Sequence, residues 1–345
     1  MNSQMTSRER VIAAIEFSGP DRLPHRHCYL PAALLKYPQI SRLYKKYPSD
    51  FAGEHAAELQ NTDLPRPYRI GEWEDEWHCG WTVMIDGLLG QVTRHPLADL
   101  SLIQAYEWPD PRKADIGADL ALSAGRGARY TVLGGLTLFE RMVDLRGFES
   151  LMLDIAEGRP ELIEMRDRVL AFNLGMIDRL LDENPDCINL ADDWGSQISL
   201  MISPDIWKEL FLPAYRKMFS RIRDAGKHVF FHSDGYTIDI LPDLVDAGAN
   251  VLWVDLTVNP LERLRRELGG KVCFQGLTDV QFTLSTGTPE EVDSHARELV
   301  ENLASFNGGF IACSELDPDQ PFENIEAVLD AFYKYGTYPI NHNGG

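Results

Sequence analysis

The sequence has no CxxC pair, no P-loop, and no GxGxxG pattern after any strand-like segment. It also lacks an apolar run near the ~18 residues that cross a bilayer, and its opening stretch, MNSQMTSRERVIAAIEF, has no apolar signal-peptide core. Basic side chains are scarce: 33 lysines and arginines stand against 53 aspartates and glutamates, a formal net charge of −20. General affinity for nucleic acid or for an anionic membrane needs a positive field, so neither is expected as a partner. An anionic substrate held by a few local arginines stays open. The five cysteines, Cys28, Cys79, Cys187, Cys273 and Cys313, are odd in number and scattered. That distribution suits a reducing cytoplasm rather than a disulfide framework.

What is present is ordinary in bulk and regular in order. The 345 residues are 44% apolar and 25% charged, enough for a substantial core without staples. Thr6-Ser7-Arg8-Glu9 is a capping-box pattern, and Val11, Ile12, Ala14 and Ile15 follow at helical spacing. From about Tyr37 to Pro111 the chain is irregular, with a hairpin expected around WTVMIDGLLGQVTRHP. After Tyr130, short apolar segments alternate with amphipathic ones. The strand-like pieces are YTVLGG, DCINLADDWG, HVFFHSDG, NVLWVDL, KVCFQGLTD and GFIACSEL. Ser203-Pro204 opens a helix expected to run to about Ala225, kinked at Pro213.

Continuously apolar strands alternating with helices predict a parallel sheet covered by helices. Without a nucleotide-binding glycine pattern, and with polar residues at nearly every strand end, the expected architecture is a (β/α)8 barrel. One barrel domain is expected over 1–345, distorted, with an irregular insert at about 37–111.

The strand ends carry the chemistry. Residues i and i+2 of a strand face the same way, so His232 and Asp234 of HSDG can point together into a barrel mouth. An imidazole and a carboxylate so placed can ligate a metal, act as an acid–base pair or clamp a substrate. They can equally be a histidine and a helix-capping aspartate that satisfy one another. Asp192 and Asp193 end the preceding strand, one expected to point inward and the other to cap the turn. Gln275 and Asp279 follow a later strand, and Cys313, Ser314 and Glu315 follow the last. Cys273 reads as core filler. In RLPHRHCY, His25 and His27 share one face and Arg26 and Cys28 the other; the two histidines are either a partial metal site or hydrogen-bonded structural groups.

Several pieces in fixed order together resemble the uroporphyrinogen decarboxylase superfamily. They are TSRERVIAAIEFSGPDRLP, DEW, HPLADLSLIQAYEWPDP, LRGFESLMLDIAE, DDWGSQISLMISPDIWKELFLPAYRKMFSRI, HSDG, FQGLTD and DPDQPFENIEAV. The resemblance implies a distorted (β/α)8 barrel with its site at the C-terminal mouth. That superfamily includes porphyrinogen decarboxylases and zinc-dependent methyltransferases that exchange methyl groups with corrinoid proteins. Of the decarboxylases' R-Q-A-G-R arginines only Arg26 remains here, and their histidine near the last strand falls at Ser314. The methyltransferases bind zinc through His-x-Cys and a second cysteine. Here His232 matches, Asp234 replaces the first cysteine, and Cys313 lies one residue from the second.

The leading expectation is a methyltransferase that moves a methyl group between a small substrate and a corrinoid or thiol acceptor. Zinc would sit on His232, Asp234 and Cys313, and the corrinoid would arrive on a partner protein. Asp193 would orient substrate or metal-bound water, and Gln275 would hydrogen-bond the substrate. The alternatives are a decarboxylase of a porphyrinogen or a smaller aromatic acid, with Asp193 or Asp279 stabilising a protonated ring, and a non-catalytic barrel that binds a corrinoid or tetrapyrrole.

Overall fold

The alternating pattern closes on itself as a barrel. A computed structural model describes residues 5–53, 64–276 and 278–340, so part of the expected insert and Leu277 lie outside the described residues. Among the described residues ten strands occur in chain order: β1 (His25–Tyr29), β2 (Gly71–Glu74), β3 (Gly80–Val83), β4 (Gln91–Arg94), β5 (Val132–Leu136), β6 (Cys187–Ala191), β7 (His228–Ser233), β8 (Val251–Val254), β9 (Cys273–Gly276) and β10 (Phe310–Leu316). Seven of them form one parallel sheet in the order β1-β10-β9-β8-β7-β6-β5. The other three, β2-β3-β4, make a separate antiparallel sheet. The expected hairpin is therefore β3–β4, widened by β2.

The eighth strand of the expected barrel is reduced to a bridge. Asp50 donates its N–H to His25 O (2.9 Å), Tyr130 N–H donates to Asp50 O (3.0 Å), and Ala52 N–H donates to Tyr130 O (2.9 Å). Residues 50–52 thus lie between β1 and the start of β5, where Phe51 and Tyr130 pair in parallel. Side-chain chemistry pins this short stretch in place. The Asp50 carboxylate, fully buried, accepts from Arg10 Nη1 (2.7 Å), Arg22 Nη1 (2.8 Å) and His25 N (2.9 Å).

The first helix, Ser7–Ile15, begins with the expected capping box, Glu9 N–H donating to Thr6 Oγ1 and Thr6 N–H to Glu9. Its Val11 and Ile15 join Phe51, Cys187, Phe230, Val251, Cys273 and Ile311 in one apolar cluster. Strand register puts those strand positions on one face, Val251 opposite both Phe230 and Cys273. This cluster is the floor of the barrel interior. The other face of the strands, with Leu190, Phe231, Leu252 and Phe274, packs against the surrounding helices in a larger cluster.

Pro213 breaks its helix rather than kinking it. The segment is two helices, Pro204–Leu210 and Leu212–Asp224, separated at Phe211. Proline lacks the N–H an interior turn would need, and in the first turn of a new helix none is required.

Candidate active site at the barrel mouth

The lumen face of each parallel strand, followed upward from the floor, turns polar at its C-terminal end. On β7 it reads Phe230, His232 and then Asp234. His232 stands in register with Ala191 and Trp253, and Trp253 with Gln275. His232 Nδ1 lies 3.1 Å from Trp253 O. A carbonyl only accepts, so Nδ1 carries a proton and Nε2 is left to face the mouth. That Nε2 is 3.5 Å from Asp234 Oδ1 and 3.8 Å from Asp193 Oδ1. One ligand atom from each of the three lies within 4.8 Å of the others.

Two glycines make this convergence sterically feasible. The loops after β6 and β7 touch backbone to backbone: a Cβ on Gly235, whose φ is +77°, would lie 2.4 Å from Gly195 C. Gly195 N–H donates to Asp234 O (3.1 Å), and Asp234 N–H to Asp193 Oδ1 (2.8 Å). The glycines of DDWG and HSDG therefore serve a close approach as well as a turn.

The adjacent aspartates divide their roles. Asp192 is buried and accepts from Leu138 N, Glu140 N and Tyr215 Oη, tying the helix Phe139–Arg146 to the end of β6. Burial pushes its carboxyl up to about 7 against those hydrogen bonds. Asp193 faces the mouth. Beside it Glu140 is pushed up to about 9, chiefly by burial and then by the charges of Asp192 and Asp193.

Next to the three residues is a recess of about 560 Å³, counting the part open to solvent, lined by Asp234, Trp253, Asp255, Glu315 and Asp317, with Val280 among its apolar walls. Although 60% of the Asp234 side chain is exposed, it opens into this recess. Withdrawal from bulk water pushes its carboxyl up to about 6, with His232 pulling the other way. Glu315 rises to about 7 for the same reasons.

Three sequence-based assignments change here. Cys313 is not one of the three converging ligands. It faces the lumen beside its register partner Arg26, with Gln275 Nε2 3.7 Å from its Sγ. The mouth position of β10 is two residues on, at Glu315. Gln275 is fully buried and accepts from Arg26 Nη1 (3.1 Å); Arg26 also lies 5.3–5.8 Å from the ring centres of Phe51, Trp253 and Phe230. Gln275 thus holds an arginine in the lumen instead of lining the recess. Asp279 is consumed by a turn: its oxygens accept from Gln281 N, Phe282 N, Thr283 N and Thr283 Oγ1.

His25 and His27 are structural. Both are buried on the helix-facing side of β1: His27 contacts Ser314 Oγ (3.0 Å) and Tyr47 O (2.6 Å), and His25 packs on Tyr333. Ser314 is turned away from the lumen with them. Asp255 and Asp317 were missed as site residues, and Glu315 was noted at the end of the last strand without a role. The signal was available in NVLWVDL and GFIACSELD, where counting by twos from Val251 and Ile311 along the lumen face lands on Asp255, Glu315 and Asp317.

Residues 131–335, more than half of the chain, match the uroporphyrinogen decarboxylase (URO-D) family. The chain belongs to that family. Its similarity to curated members is partial. It is 28% identical over 142 residues to a methylated-thiol–coenzyme M methyltransferase of Methanosarcina mazei, covering 41% of this chain and 36% of that protein. It is 23% identical over 161 residues to uroporphyrinogen decarboxylase of Schizosaccharomyces pombe, covering 44% and 42%. The chain thus matches less than half the length of either curated relative. In three dimensions it resembles a methyltransferase from Methanosarcina mazei at a TM-score of 0.72 and 18% identity, covering 96% of this chain and 99% of that one. That likeness supports the URO-D barrel architecture. Among the described residues, no helix is long and apolar enough to cross a membrane.

Proposed function

We propose that this URO-D family protein is a metal-assisted methyltransferase, moving a methyl group between a small substrate and a corrinoid or thiol acceptor. The observation that carries the reading is the meeting of three acceptor atoms, His232 Nε2 and one oxygen each of Asp193 and Asp234. With Nδ1 turned to Trp253 O, Nε2 faces the two carboxylates, and a cation at that point would be shared by all three. One imidazole and two carboxylates fit zinc and also suit harder divalent ions, because the thiolates of a softer site are missing. A divalent ion so held supplies Lewis-acid polarisation of a bound thiol, thioether or hydroxyl.

The chain's own residues do the remaining work. Trp253 O fixes the His232 ring and tautomer. The Asp234 N–H holds one oxygen of Asp193 in place. Trp253 and Val280 supply the apolar part of a lining that is otherwise polar. The partner is a corrinoid carried on a second protein, docking at the open end of the barrel.

The decarboxylase reading draws on Arg26, which does face the lumen. The acidic lining opposes it, because a substrate bearing many carboxylates would meet Asp234, Asp255, Glu315 and Asp317 at the entrance.

The test combines metal analysis with two assays. About one equivalent of zinc per chain and demethylation of methylcobalamin by a thiol are expected. Turnover of a carboxylated porphyrinogen alone, without bound metal, would overturn the reading.

A further inference from the structure

A polar side chain inside the barrel lacks a partner. On β6, Cys187 belongs to the floor cluster, and Ile188 and Leu190 to the helix-facing one. By the alternation of a strand, Asn189 and Ala191 therefore turn to the lumen with Cys187. The Asn189 Oδ1 is closed off from water and accepts no hydrogen bond. Among the described residues its Nδ2 donates none. An interior carboxamide costs free energy for as long as its ends stay unbonded, so an unpaired one calls for a cause.

The space beside it is unfilled. A packed (β/α)8 barrel occupies its lumen with branched side chains. Here Asn189 and Ala191 both keep some contact with solvent, whereas Cys187 below them and Phe230 beside them are fully buried. Gly134, the register partner of Asn189 on β5, brings no side chain to the gap. Toward the mouth, Ala191 is in register with His232, and its single methyl group leaves the way from Asn189 to the three converging ligands open. The rise from Asn189 to Ala191 is roughly 6–7 Å, a depth that a spacer of about two carbons covers.

We propose that Asn189 selects the substrate by pairing with a neutral carboxamide carried a short spacer away from the thiol or thioether at the metal. A carboxamide sets a donor beside an acceptor and so matches both ends of Asn189 at once. The last side-chain torsion of an asparagine is broad and nearly two-fold, so either end can turn to the guest. A hydrocarbon tail leaves Asn189 unpaired. A carboxylate supplies acceptors only, and on entry it meets Asp234, Asp255, Glu315 and Asp317; Arg26 is the one lumen residue named above that would draw it. The place of the sulfur rests on the methyl-transfer reading above; the pairing at Asn189 stands without it.

Calorimetric titration of the purified protein with thiols of matched length tests the inference. The probes are 3-mercaptopropanamide, 3-mercaptopropanoate and 3-methylbutane-1-thiol, whose branched end has the shape of the amide. The amide should bind about tenfold or more tighter than either of the others. In Asn189→Leu and Asn189→Ala that preference should vanish while bound metal, read by plasma emission, stays unchanged. Neither variant should lower the urea midpoint, because each removes an unpaired interior amide, and the alanine guards against a leucine that overfills the slot. A clear loss of stability in both would make Asn189 a structural residue and overturn the proposal. So would equal affinities for the amide and the alkyl thiol, tightest binding of the carboxylate, or a preference that survives both substitutions. An amide preference in a protein that holds no metal and demethylates no corrinoid sinks the methyl-transfer reading alone. Bound metal and demethylation with equal affinities sink this inference alone.

Discussion

His232 has two nitrogens with different tasks, and the difference is set by one carbonyl. Trp253 O accepts the hydrogen bond from Nδ1–H, which leaves Nε2 for the metal, so loss of the ring removes a ligand. His232→Ala and Asp193→Asn should each lose the bound divalent ion, read by plasma emission, with activity down about 100-fold or more. Cys313→Ala should keep its metal, since that sulfur lies outside the converging group. Retention of metal in His232→Ala would refute the assignment. Protonation gives a second handle. The Asp234 carboxyl, raised to about 6, holds a proton below that pH that an incoming ion must displace. Metal affinity should therefore rise as pH climbs through about 6 and level off above it. In Asp234→Asn that part of the slope should be absent from a competitive chelator titration.

Elements place these groups through contacts that are not themselves chemical. The loops after β6 and β7 lie against each other only because Gly195 and Gly235 lack side chains. Gly235→Ala puts a methyl group into backbone at 2.4 Å and forces an alanine to φ +77°, a cost of about 1–3 kcal/mol. It should also weaken metal binding, although Gly235 ligates nothing, by pushing Asp234 away from Asp193. A variant with unchanged stability and unchanged affinity would show that this contact does not position the site. A similar tie runs from Tyr215, which accepts from Trp194 Nε1 (2.9 Å) and donates to Asp192 (2.7 Å). Tyr215→Phe leaves both partners buried and short of a bond, and should cost about 1–3 kcal/mol in denaturant unfolding.

At the scale of the whole molecule, closure of the barrel depends on Asp50. Its backbone links β1 to the chain entering β5, and its buried carboxylate joins Arg10 of the first helix to Arg22 ahead of β1. Asp50→Ala takes the carboxylate from Arg22, leaves Arg10, whose side chain is only 4% exposed, with Asp21 alone, and frees the buried His25 N–H. It should cost about 3–5 kcal/mol, measured as a shift in the urea midpoint with an unchanged slope. A loss below about 1 kcal/mol would mean water reaches the network and solvates the charges.

The chain by itself determined the rhythm: strands by their apolar β-branched and aromatic runs, the first helix by its capping box, and the barrel by polar strand ends without a nucleotide loop. It also determined the central pair, because His232 and Asp234 are two apart and a period of two needs no tertiary knowledge. Which residue completes the pair was decided only in three dimensions. Cys313 and Glu315 share a face, and their height in the barrel depends on how far β10 is staggered against β1 and β9, a register that sequence spacing does not encode. Asp193 enters the group because a glycine contact between two loops draws it in. Asp279 leaves because its own turn uses both oxygens. The near-loss of the eighth strand was hidden for the same reason. Three backbone hydrogen bonds at residues 50–52 leave no hydrophobic period to read, and only their partners in β1 and at Tyr130 reveal that the barrel is closed.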